Sequence, residues 1–68
     1  MTPLTYDEVA VQRALRGTPV LPIHPDDRAE IIRRLALQGA LAVDYMRALH
    51  CSGSVGRDLA AQAREVAA

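Results

Sequence analysis

Residues 35–50, LALQGALAVDYMRALH, decide between two folds. Ile32, Leu35, Gly39, Ala42, Met46 and Leu49 recur at alternating intervals of three and four, as along one face of an unbroken amphipathic helix. A glycine inside such a helix costs only about 1 kcal/mol relative to alanine. Gly39 can equally close one helix in a left-handed conformation and open a turn before the next. No Ser, Thr, Asp or Asn stands at positions 40–43 to cap a fresh helix, which favours the unbroken reading. A break gives four short helices with a helix-turn-helix in the C-terminal half. No break gives one long central helix from Asp26 to His50.

Upstream, LTYDEV (residues 4–9) carries a full helix-start signal. Thr5 serves as N-cap, Glu8 closes a capping box, and Leu4 and Val9 form a hydrophobic staple, so a lead helix is expected over 5–16, beginning at Tyr6. It runs through Val9, Val11 and Leu15 and stops at Arg16-Gly17, with Pro19 forbidding continuation. TPVLPIHP (18–25) holds three prolines and reads as an ordered linker over 17–24, pinned to the core by Val20, Leu21 and Ile23. Pro25 suits a first helical position, and Asp26 and Asp27 complement the dipole there. That helix, 25–38, buries Ile31, Ile32 and Leu35 and turns Arg33 and Arg34 outward. Past Leu49, the run His50-Cys51-Ser52-Gly53-Ser54 breaks the pattern, and Ser52 or Ser54 caps a last helix with Val55, Leu59, Ala63 and Val66 as its apolar stripe. Under the broken reading the helices span 5–16, 25–38, 41–50 and 54–66.

Sixty-eight residues make one small domain (1–68), at a size where a single core stabilises only marginally. Half the residues are apolar, yet Tyr6 and Tyr45 are the only aromatics, so Leu, Ile, Val, Met and Ala must build the core. That palette favours an all-α fold. No deep-cleft enzyme is expected: there is no Ser-His-Asp arrangement and no phosphate-binding glycine loop, and Asp26-Asp27 read as helix-start acids. His24, His50 and Cys51 are the only soft metal ligands and show no CxxC or HxxxH spacing, so neither a metal nor another cofactor is expected. Cys51 reads either as a small buried residue or as a helix N-terminal thiol of lowered pKa beside His50. It has no partner for an internal disulfide. With no signal peptide and no membrane-length apolar run, the expected setting is the cytoplasm, without membrane contact.

Net charge is zero, eight arginines against eight acids. Neutrality argues against strong non-specific nucleic-acid binding without excluding a local basic patch. Residues 27–68 carry six arginines (28, 33, 34, 47, 57, 64) against five acids (27, 30, 44, 58, 65), a net of +1, and the N-terminal part is −1.

From Arg28 onward the chain resembles the small, homeodomain-like helix-turn-helix regulators of actinobacteria and their phages and mobile elements. Arg33-Arg34-Leu35, Gly39, Leu49, Cys51-Ser52, Val55 and Arg57-Asp58-Leu59 carry the likeness, and DEVAVQRALRGTPV (7–20) resembles the lead helix that precedes such segments. The sequence departs from that pattern at several points. Leu41-Ala42 stands where a capping Ser or Thr is usual, Met46 where the supporting helix has a small Ala, and His50 where the turn has Gly. Cys51 to Val55 is one residue short, and Gly53 and Gly56 take places where base-reading side chains are usual. The resemblance implies a transcriptional or mobile-element regulator that binds duplex DNA as a homodimer. The last helix would enter the major groove, with Ser52, Ser54 and Arg57 on phosphates or bases and Arg33, Arg34 and Arg47 positioning the backbone. The alternative is a small helical protein-interaction module, which includes a helix-turn-helix that has lost DNA binding and acts on another regulator. On that reading the arginines are only the soluble faces of amphipathic helices.

Overall fold

The structure, a computed structural model, describes residues 5–67, the last two by backbone alone. It is all-α, with α1 at Glu8–Leu15, α2 at Pro25–Gln38, α3 at Ala42–Leu49 and α4 at Gly53–Ala67, and no strand among the described residues. All four helices contribute to one core: Val11 and Ala14 from α1, Ile31 and Leu35 from α2, Tyr45, Ala48 and Leu49 from α3, and Ala60 from α4. Tyr45, Ile31 and Val11 are the largest side chains fully withdrawn from solvent.

The chain breaks at Gly39. Its φ of 68° is left-handed, and the Gly39 N–H donates to the Ala36 carbonyl (3.1 Å) while the Ala40 N–H donates to that of Leu35 (3.0 Å). These two bonds form a Schellman motif, which satisfies carbonyls that a helix end leaves open. Gly17 (φ 90°) ends α1 by the same device, with Gly17 N–H on Ala14 and Thr18 N–H on Arg13. The missing cap of α3 is supplied from inside the helix: Asp44 accepts the Leu41 N–H at 2.9 Å, one half of a capping box with no capping side chain at Leu41 itself.

Helix α1 starts two residues later than Thr5 and Tyr6 suggest. Asp7 is the N-cap, accepting from Val9 (3.0 Å) and Ala10 (3.4 Å), and its own N–H donates to Asp27 on α2 at 2.8 Å. Glu8 closes no box with Thr5, because its carboxylate is drawn to Arg34. The expected staple partner Leu4 lies outside the described residues. In the linker, whose Leu21–Pro22 peptide is cis, Ile23 packs on the core, but Val20 and Leu21 are more than half exposed and do not pin it. His24 rather than a hydroxyl residue precedes α2, its Nδ1 accepting the Asp26 N–H at 3.1 Å.

Arg34 does not point outward as helical periodicity suggests. Its side chain is 20 % exposed and bridges α1 to α2. Glu8 receives Nη1 at 2.8 Å and Nη2 at 2.5 Å, Glu30 receives Nε at 2.6 Å, and the Tyr6 ring lies 5.6 Å from the guanidinium carbon. Glu30, nearly buried, also takes Arg33 through two bonds of 2.8 and 2.6 Å. Hydrogen bonds from Arg34 hold the Glu8 carboxyl at a pKa of about 2, and those from Arg33 and then Arg34 do the same for Glu30.

Two consequences are measurable. Gly39→Ala meets no atom within 4 Å, so its cost is purely conformational, about 1 kcal/mol or slightly more for an L residue held left-handed. A thermal melt should fall by roughly 4–8 °C; a rise would mean that the helix runs through residue 39, since alanine is the better former inside a helix. The second concerns pH. Both glutamates titrate lower folded than unfolded, so their contribution is complete above about pH 4.5 and disappears as pH falls towards 2. Melting temperature should drop across that window, and Arg34→Met should be less stable at neutral pH and flatter in acid. An equally steep acid limb in the variant would dissociate the network from stability.

Candidate functional site

The first turn of α4 differs from the other three helix starts. Glu8 lies in the first turn of α1, Asp26 and Asp27 in that of α2, and Asp44 in that of α3, whereas α4 has no acid there. Ser52 caps it: its Oγ accepts the Val55 N–H at 3.3 Å, and its carbonyl accepts the Gly56 N–H at 3.0 Å. Ser54 is exposed one position inside the helix. Arg57, also exposed, folds back along α4, with Nη1 4.0 Å from where a Cβ on Gly53 would stand. A guanidinium therefore lies over the positive end of a helix dipole with no carboxylate between them, an arrangement that adds to local positive potential and not to helix stability.

α3 and α4 form the most extensive helix pair. They are joined by His50, Cys51 and Ser52, with His50 in the left-handed region at φ 53°. His50 thus adopts the conformation for which a turn glycine is usual, at a position where histidine is among the better-tolerated side chains. Cys51 is half-buried and its Sγ–H donates to the Tyr45 carbonyl at 3.6 Å, the role of a small packed residue.

Of the two glycines of α4, Gly56 has a structural cause. A Cβ on Gly56 would stand 2.8 Å from the Ala42 carbonyl oxygen and 2.8 Å from Met46 Cγ, and one on Gly53 would stand 3.8 Å from Met46 Cε. Gly56 is buried. The close contact requires glycine at Gly56, whereas Gly53 meets Met46 of α3 only at ordinary contact distance. A large residue on α3 and small ones on α4 reverse the size pattern of the resembled motif while still bringing the two helices together. For the same reason Val55, which is 38 % exposed, is not the packed face of α4; Gly56 and Ala60 are.

Of the six residues singled out from the sequence, Ser52, Ser54 and Arg57 are brought together at the start of α4. Arg47 is exposed on α3 and lines a separate depression with Arg16, between the end of α1 and the start of α3. Arg33 stands at the rim of a groove between α2 and α4, tied to Glu30. Arg34 is committed to the α1–α2 bridge and leaves the site. Arg16 and Gly56 were not anticipated as site residues. The small pair Gly56 and Ala60, four apart on one helix side, is the signal that marks close helix contact. No protein-family model, no curated protein and no solved structure matches this chain.

Proposed function

We propose that this chain binds duplex DNA through α3, its three-residue turn and α4, as a transcriptional or mobile-element regulator working in the cytoplasm. The observation that supports it is the start of α4: a serine cap, an exposed Ser54, no acid in the first turn, and the Arg57 guanidinium laid over the helix end. Free N–H groups and a positive dipole end suit phosphate, and Ser54 and Arg57 extend within reach of base edges. Fluorescence anisotropy against a labelled mixed-sequence duplex at increasing salt tests it. Affinity should weaken with salt at a log–log slope of about −0.9 per phosphate contact. Arg57→Ala should lose about 1–3 kcal/mol of binding with an unchanged melting temperature. Absence of binding at the lowest salt overturns the proposal.

A second reading, self-association, is favoured by the groove between α2 and α4, about 420 Å³ and lined by Ile32, Ala36, Leu37, Leu59 and Ala63. The occupant it fits is a second copy. Leu37, 74 % exposed, stands beside a hollow floored by Ala36 and Ala63, so one patch carries both knob and hole, as a two-fold contact requires. Arg33 at the rim already has its counter-ion in Glu30 and brings no unmatched charge into such a contact. A stable dimer takes roughly 800 Å² from each copy, about a sixth of the 4784 Å² surface. In sedimentation, the wild type should dimerise at micromolar concentration and Leu37→Glu should be monomeric with its fold intact. A wild type that stays monomeric rejects the dimer and leaves another protein as the occupant, and a Leu37→Glu variant that is still dimeric rejects this groove as the contact.

A further inference from the structure

The depression shared by Arg16 and Arg47 has a chemistry of its own. It measures about 280 Å³ and lies where the ends of α1 and α2 meet the start of α3, with Leu15 and Leu35 among its apolar walls and Gln38 and Asp44 among its polar ones. Both arginines are exposed, and neither makes a salt bridge or side-chain hydrogen bond among the described residues. The contrast with Arg33 and Arg34, each saturated by carboxylate, is sharp. Asp44, the one acid in the wall, has a carboxylate oxygen on the Leu41 N–H, beside the positive end of α3. Local charge is two guanidiniums against one carboxylate already engaged in a cap.

Two planar five-donor groups facing one small depression match an oxyanion with several acceptor oxygens. The carbonyl ends of α1 and α2 oppose an anion there, the positive end of α3 favours one, and the two guanidiniums supply the excess of positive charge. Among the described residues no side-chain hydrogen bond runs from Arg16 or Arg47 to these carbonyls. We infer that Arg16 and Arg47 form a phosphate clamp, separate from the start of α4. Resting on the DNA-binding reading, the inference assigns to this clamp a backbone phosphate of the same duplex, so that the lead helix and the supporting helix position what α4 reads.

Arg16→Ala and Arg47→Ala, measured by anisotropy beside Arg57→Ala, test the assignment. Each clamp variant should bind on the order of tenfold more weakly and reduce the salt slope by about one, with an unchanged melting temperature. If duplex binding persists and depends on Arg57, but neither clamp variant changes affinity or slope, the clamp is refuted while the function stands. If the wild type binds no duplex, the functional reading fails and the clamp is tested alone. Inorganic phosphate is then titrated to millimolar concentration while the Nε–H resonances of Arg16 and Arg47 are followed. Saturating shifts at those two resonances that either substitution abolishes would establish a site for free phosphate. Unmoved resonances would refute it.

Discussion

The position of α4 depends on a contact between two backbones. At Gly56 nothing larger than hydrogen separates α4 from the Ala42 carbonyl of α3, and Met46 fills the space alongside. Among the described side chains of α4, Ala60 alone lies in the buried core, with Leu59 partly buried against it. The large core side chains, Tyr45, Ile31 and Val11, lie on the other three helices. Close approach replaces bulk, because dispersion between well-seated atoms is collectively large even when each contact is small. An added methyl group at residue 56 would press on the Ala42 peptide unit as well as on the Met46 side chain. The spacing of the two helices, and so the placement of Ser54 and Arg57, is fixed by main chain.

Most of the fold was legible because its signals are local. Gly17, Pro25 and the acids after it act within a turn of where they stand, and each did what its chemistry dictates. Gly39 was ambiguous because the cap that resolves it is not at the expected position: Asp44 reaches back from inside α3 to a main-chain N–H at Leu41. Arg34 was misread for a different reason. Periodicity separates apolar from polar faces, but it does not register that Glu8 of α1 and Tyr6 just before that helix meet a cation on the boundary. Val20 and Leu21 show the converse, apolar residues left in water because the linker's path brings only Ile23 to the core. The nearness of Ser52, Ser54 and Arg57 was legible from their spacing, whereas the separate depression of Arg16 and Arg47 forms only through the packing of α1 beside α3.

Net charge concealed how the surface is arranged. Asp7, Asp27 and Asp44 are occupied with backbone N–H groups, and Glu8 and Glu30 with Arg34 and Arg33. Asp26 stands 3.8 Å from His24. Arg13, Arg16, Arg28, Arg47, Arg57 and Arg64 make no salt bridge among the described residues. Beyond a Debye length the molecule is neutral and steers nothing. Within contact range it presents guanidiniums whose donors are free, because folding engages Asp7, Asp27, Asp44, Glu8 and Glu30 in caps and bridges. A neutral chain is therefore compatible with phosphate recognition at contact distance, with little of the long-range attraction that accelerates encounter.

The two proposed uses of α4 do not compete for the same surface. At 3.6 residues per turn, Leu59 lies about 160° around the helix from Arg57, and Ala63 about 180° from Ser54. Leu59 and Ala63 line the groove shared with α2, while Ser54 and Arg57 are exposed at the capped end. A second copy seated in that groove would cover one side of α4 and leave the other open. Pairing two such ends would also compensate for the modest charge of each, since a duplex presents half-sites at fixed intervals and two weak contacts held together act at high effective concentration. For a domain this small and this neutral, the proposed self-association would be the physical route by which a short recognition surface could suffice.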